Sequence, residues 1–369
     1  MHCQARFYCS LALVASSLFS LAAQASSLST RATVCNGHAE LCERSYGSVS
    51  FVGAHDSYAV GATNNVFVNQ DHDVTQQLND GVRMLQLQVH NQGGTLRLCH
   101  SICAIADSGL LQDYLSKVKS WMDGNPNEVV SILIVNIDNS PAASFDLAYK
   151  AANLDGISFA PETSTLPASG WPTLGNMIDS GKRLVSYLDN GADPSIPYLI
   201  DEFTNIWETA FNLVNPDLFD CTVNRTKGDT STQMFLINHF LNKLVSGLPA
   251  PDPDNANVTN AATGAGSLGA HVDTCRTVQG RPPTFLLVDF YEFGGGSVFQ
   301  VAADINGVTY APTTPIAQPV TANSSTSSSS SSGSGRGSGN GATAMSASNS
   351  VAMVISVLSA VTVGVVGVL

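Results

Sequence analysis

Four short stretches of the chain carry residue types that can move protons. Gly53-Ala54-His55-Asp56-Ser57-Tyr58 sets an imidazole beside a carboxylate. Leu98-Cys99-His100-Ser101 supplies a second imidazole, and Val288-Asp289-Phe290-Tyr291 places an acid in an otherwise apolar run. Gln86, Gln88 and His90 recur at every second position between them. Two histidines and two aspartates are what cleavage of a phosphodiester needs. One ring takes a proton from the attacking hydroxyl and the other gives one to the leaving alkoxide, since imidazole titrates near neutrality. Each Asp would hold one ring in the right tautomer.

Such a set needs a scaffold. Short apolar strands are expected at 49–54, 83–90, 129–137, 183–188, 234–239 and 285–291, with a further one at 95–98. Helical spacing occurs at 74–80, 110–122, 144–152, 174–180 and 298–306. Strands alternating with helices imply parallel β-α-β units, and at this length a closed or incomplete α/β barrel of the TIM type is the fold expected over residues 45–310. In such barrels functional groups collect at the carboxyl ends of the strands. Strand parity puts Met84, Gln86, Gln88 and His90 on one face and Arg83, Leu85, Leu87 and Val89 on the other. Leu287, Asp289 and Tyr291 share a face on the last strand; an Asp there is costly unless paired, and a His would pair it. His239 either lines the site or packs structurally. His72 and His271 read as surface residues, and the stretch 250–269 reads as a long surface loop.

The ends of the chain point outside the cell. Residues 1–25 carry Arg6, an apolar run and Ala23-Gln24-Ala25, which reads as a secretory signal peptide. Residues 26–44 form a cysteine-bearing segment. Residues 311–340 end in a Ser/Gly-rich linker suited to O-glycosylation. Asn340-Gly341-Ala342, a polar spacer and an uncharged apolar tail make residues 341–369 a glycosylphosphatidylinositol (GPI) attachment signal, with Asn340 as the anchored residue. Six cysteines lie beyond the signal peptide, and pairing by proximity gives Cys35–Cys42, Cys99–Cys103 and Cys221–Cys275. Asn224, Asn257 and Asn323 head N-glycosylation sequons. The formal charge of −13 argues against nucleic acid as a partner.

From about Tyr46 to Gly307 these motifs, in this order, resemble the phosphatidylinositol-specific phospholipase C-like phosphodiesterases, most closely a fungal GPI-anchored branch. The resemblance implies an incomplete β/α barrel, His55 as general base, His100 as general acid, Asp289 paired with His55, and Asp56 paired with His100. It further implies attack by an inositol 2-hydroxyl, giving diacylglycerol and a cyclic inositol phosphate. The sequence departs from the family at the second strand. Calcium-dependent members carry acidic ligands where Gln86 and Gln88 stand, and metal-independent members carry an arginine at the position of Gln88. No metal or other cofactor is therefore expected. Arg97 and Lys182 are candidate replacement cations, and with Gln86, Gln88, His239 and Tyr291 they form the expected substrate-contacting set. Two functions follow: a metal-independent phosphoric diester hydrolase or lyase acting outside the cell, or a cell-surface protein that binds phosphoinositol-type ligands with little or no turnover. A glycoside hydrolase would need two facing carboxylates on strand ends, and no such pair stands out.

Overall fold

A computed structural model describes residues 31–63 and 65–320. The signal peptide, Asn323, Asn340 and the attachment signal lie outside the described residues, as does the linker beyond position 320.

In chain order the elements are β1 (Phe51–Ala54), α1 (Val74–Asp80), β2 (Met84–Gln92), β3 (Thr95–Cys99), β4 (Asp107–Leu110), α2 (Leu111–Gly124), β5 (Val130–Asn136) and α3 (Ala142–Ala151). Then come α4 (Leu174–Asp179), β6 (Leu184–Leu188), β7 (Leu199–Asp201), α5 (Glu202–Asn205), β8 (Ile206–Glu208) and β9 (Met234–Asn238). β10 (Asn242–Val245), β11 (Leu248–Pro251), α6 (Ala256–Thr259), α7 (Leu268–Gln279), β12 (Phe285–Val288) and α8 (Ser297–Asn306) complete the order.

Eight strands pair in parallel in the order β7-β6-β5-β2-β1-β12-β9-β8. The two ends of that path, β7 and β8, are consecutive in the chain and are joined by the single turn of α5, yet they do not pair. The barrel is therefore incomplete, open at one seam. β3 and β4 extend β2 as an antiparallel side ribbon, and β10–β11 is a separate hairpin.

Strand alternation sorts the core into two layers. Val52, Leu85, Leu87, Val89, Ile132, Ile134, Leu286 and Val288 face outward and pack under the helices. Phe51, Met84, Leu133, Val185, Met234, Leu236, Phe285 and Leu287 fill the barrel. Gly53 sits where β1 meets both neighbours; a Cβ there would lie 3.1 Å from Leu287 Cδ1 and from Met84 Cβ. Aromatic rings close the floor: Tyr46 packs against Phe51, Trp171 and Phe285, and its hydroxyl meets Ser131 Oγ at 2.6 Å. The apolar filling stops at this lower level. Above it, β2 turns polar at Gln86 and Gln88 while β5 stays aliphatic at the matching positions Leu133 and Val135.

Three disulfides join the expected pairs, Cys35–Cys42, Cys99–Cys103 and Cys221–Cys275. The stretch 250–269 is not a plain loop: it holds the end of β11, α6 and the start of α7. α7 is capped by Ser267, whose side chain accepts from Ala270 N, and it buries Leu268, His271, Val272 and Cys275. His271 is thus a core residue, contrary to its polar surroundings in sequence. Among the described residues no helix is long and apolar enough to cross a membrane.

Phe285 is fully buried in the barrel floor. Phe285→Ala should lower the unfolding free energy by about 3–5 kcal/mol, read from urea titration monitored by tryptophan fluorescence. A loss below about 1 kcal/mol would mean that the floor relaxes around the cavity.

Candidate functional site

The carboxyl ends of β1, β2, β3 and β12 converge on one side of the barrel mouth. β1 ends at Ala54, and His55 N donates to Val288 O at 2.9 Å, which continues the β1–β12 pairing by one residue. This brings His55 Nδ1 to 2.9 Å from Asp289 Oδ1. Asn69 Nδ2 also donates to that oxygen at 3.1 Å, and Gln70 Nε2 donates to the carbonyls of His55 and Val288. The other face of the ring lies flat on Phe240, centroids 3.7 Å apart at 5°. His55 is therefore fixed at its edge by an acid and at its face by an aromatic.

Asp56 is fully buried beneath the two histidines. Its Oδ2 lies 4.0 Å from His55 Nε2 and 3.6 Å from His100 Nε2, so both rings turn the same nitrogen toward one carboxylate oxygen. The second strand holds that carboxylate in place. Gln86 Oε1 accepts from Asp56 N at 2.7 Å, and Gln88 Nε2 donates to Asp56 Oδ2 at 3.2 Å. His100 follows β3 inside the ring closed by the Cys99–Cys103 disulfide. Phe67 stands edge-on to it at 5.8 Å.

The backbone is strained at these segments. Asp56 (φ 40°), Ser101 (φ 62°) and Phe290 (φ 46°) all occupy the left-handed region. Asp visits it at modest cost, but for a bulky residue such as Phe it is a true outlier. Phe290 is held by its own N–H donating to Asn69 O and by Asn260 Nδ2, which donates to Asp289 O and Phe290 O. Strain of this kind costs about 1–3 kcal/mol per residue and persists where the surroundings over-determine it. Here it aims Asp289 at His55.

Burial opposes a charge on His55, but Asp289, Asp56 and the more distant Glu208 outweigh it and raise its pKa above the ordinary imidazole value. Asp289 is raised by its own burial, with His55 and Asn69 pulling the other way. The two groups thus pull on each other against the burial of both.

His55, Gln86 and Gln88 line a cavity of ≈ 300 Å³. Its remaining wall is Leu133, Val135, Ile137, Phe211, Phe240 and Leu287, with Glu208, Asn212, Arg225 and Asn238 opposite the second strand. Four of the expected contact residues lie elsewhere. Lys182 precedes β6 at the floor end, and its Nζ donates to Gly156 O. Arg97 points along the side ribbon to Asp107. Tyr291 is buried and donates to Asp80 Oδ2 at 2.6 Å. His239 is fully buried, its Nδ1 2.9 Å from His271 Nδ1 and its Nε2 at Thr259 O; burial and His271 push its pKa down to about 3. The parity rule failed for Tyr291 because β12 ends at Val288 and the positive φ at Phe290 breaks the alternation. Sequence reading passed over Asn69, Phe240, Glu208 and Arg225, which come from loops and a three-residue strand.

The cavity does not fit a calcium ion. Such an ion takes six to eight oxygens, several of them carboxylate. The second strand offers two amides already committed to Asp56, Asp289 is taken up by His55 and Asn69, and Glu208 is the one carboxylate among the residues lining the cavity.

The chain matches the family described as PI-PLC X 1 over residues 41–306. The PI-PLC X domain-containing protein 1 of Arthroderma benhamiae is 43% identical over 279 residues, covering 74% of this chain and 90% of that one. A second protein of the same fungus, named an uncharacterized secreted protein, is 43% identical over 292 residues; the match covers 76% of this chain and 66% of that protein, just under two thirds of its length. Among solved structures, a variant of the phosphatidylinositol-specific phospholipase C from Staphylococcus aureus superposes with a TM-score of 0.50 at 13% identity, over 73% of this chain and 95% of that one. At that identity the likeness concerns the fold.

The His55–Asp289 contact can be read directly. In nitrogen-detected NMR the His55 ring should titrate above the ordinary imidazole range, and Asp289→Asn should move that titration to lower pH, because removing the carboxylate leaves burial as the larger influence. An unmoved titration would show that the two side chains do not interact in solution.

Proposed function

The chain belongs to the PI-PLC X family, and from that premise we propose that it is a metal-independent phosphoric diester hydrolase or lyase that acts outside the cell. The observation that carries the reading is the pair of imidazoles whose Nε2 atoms lie within 4.0 Å of one buried Asp56 oxygen, with Asp289 on the far nitrogen of His55.

In this reading His55 is the general base. Asp289 holds Nδ1–H, so the bare Nε2 faces the cavity and takes the proton of the attacking hydroxyl. His100, reached from the other side of Asp56, gives a proton to the leaving oxygen. Asp56 sits between them, stabilising whichever ring is charged. With phosphatidylinositol, the inositol 2-hydroxyl would bond to phosphorus as the bond to the diacylglycerol oxygen breaks, giving a cyclic inositol phosphate. The cavity of ≈ 300 Å³ suits a head group of that size.

Placement outside the cell is supported by three disulfides, which persist in oxidising compartments. It is supported too by the relative named a secreted protein. The Ser/Gly-rich linker and attachment signal would tether the barrel to the outer membrane leaflet or cell wall through a GPI anchor on Asn340. Asn224 and Asn257 are exposed, as N-glycan acceptors must be.

The test is turnover of phosphatidylinositol in mixed micelles and of a soluble glycerophosphodiester. His55→Ala and His100→Ala should each lower kcat by about 10²–10⁴ with the thermal unfolding midpoint little changed. Full turnover in either variant would sink the assignment. A wild-type protein that binds these compounds without turning any over would instead favour the binding-protein reading.

A further inference from the structure

Moving protons is half of phosphoryl transfer; the other half is positive charge against the phosphoryl oxygens. On the His55 side the cavity lining supplies none beyond the imidazole itself. Gln86 and Gln88 are neutral, and each has an amide group committed to Asp56. Across the mouth stands Arg225, the only Lys or Arg among the residues lining this cavity.

We propose that Arg225, seated on Glu208, supplies the positive charge that the non-bridging oxygens of a phosphodiester require in this cavity. The inference rests on the phosphodiesterase reading of His55 and His100.

Three features argue for it. The first is how the residue reaches the site. Arg225 lies in the loop after β8, but Glu208 N donates to Arg225 O at 3.1 Å, an isolated antiparallel bridge that folds the loop back over the end of β8. The second is how it is held. Nε and Nη2 both donate to Glu208 Oε2, and the guanidinium lies over Phe211 at 4.5 Å and over Phe203 at 5.1 Å. Nη1 has no hydrogen-bond partner among the described residues and is free to donate. The third is which member of the pair faces outward. The Glu208 side chain is 2% exposed and the Arg225 side chain 35%, so the acid lies behind and the base toward the opening.

The local charge balance agrees. Burial works against the guanidinium, but Glu208 and Glu202 raise its pKa further. Glu202 is buried beside Glu208; burial first, then Glu208, lift its pKa well above the ordinary carboxylate value. Glu208 is the acid in contact with the guanidinium and lies behind it, so Arg225 is the member of the pair that an incoming phosphodiester meets first. During the reaction Arg225 only donates N–H hydrogen bonds. The attacking oxygen bonds to phosphorus, the bond to the leaving oxygen breaks, and the two protons travel through His55 and His100.

The test compares wild type with R225A, R225K, the double variant R225A/E208Q and the double variant R225A/Q88R. Each is read by kcat and KM on phosphatidylinositol, by calorimetric binding of inorganic phosphate, and by thermal unfolding. R225A should lower kcat by about 10³, R225K should retain part of it, and Q88R should restore turnover to R225A by returning a cation to the same cavity. R225A/E208Q removes the acid's charge with the base, so it should unfold like wild type and show the same loss, which separates charge from folding. Phosphate binding should weaken at least tenfold in both R225A and R225A/E208Q. A loss confined to KM, kcat of R225A/E208Q within tenfold of wild type, or unchanged phosphate binding would overturn the proposal. Inert wild type would sink the parent reading alone, because phosphate binding still decides for or against Arg225.

Discussion

The site depends on one contact made across 234 positions of sequence, that between His55 and Asp289. The two residues follow the first and last strands of the barrel, which pair with each other at residues Phe51–Ala54 and Phe285–Val288. His55 gains its acid only when β12 has come back from the far end of the chain to pair with β1. Everything below the mouth serves that meeting. Gly53 allows β1 to lie close between Met84 and Leu287, and the aromatic floor around Tyr46 fills the space beneath. The cost of closing so long a loop is met by the apolar interior, since loop-closure entropy grows only slowly with length.

Much of this was legible in the chain. The apolar strands β5 and β9 announced themselves by composition, and β2 by its alternation. α1 was delimited by Asp73, whose side chain accepts from Gln76 N, and by the left-handed Gly81. The alternation on β2 correctly set Gln86 and Gln88 toward the interior and Arg83 outward, where it meets Glu128 and Trp121. Other features were hidden for physical reasons. β7 and β8 are three residues each, too short for periodicity to register. α7 carries Gly269 near its start and polar residues throughout, so its buried stripe of Leu268, Val272 and Cys275 is faint. Tyr291 was misplaced because parity assumes an unbroken strand, and β12 stops three residues before it. Arg225 sits within a glycosylation sequon, a pattern that marks surface loops; its inward side chain follows from a bridge that no local pattern encodes.

The two sides of the cavity differ in origin as well as in chemistry. The His55, Asp56, His100 and Asp289 side is built on strand ends and strained turns, rigid because the sheet is rigid. The Glu208 and Arg225 side is built at the open seam, where β8 is the last strand of the path and has a neighbour on one side only. At that edge a short strand can give its free side to a returning loop, and the unpaired flank of β8 is what admits Arg225. The incompleteness of the barrel is thus tied to the composition of the site.

The small ring closed by Cys99 and Cys103 has a further consequence. None of the eight parallel strands depends on that bond, and neither does the seam that joins His55 to Asp289. The bond ties down the loop that carries His100, so losing this one bond would untie the second imidazole without breaking a strand pairing. The finished pair of rings is a product of the compartment as much as of the sequence.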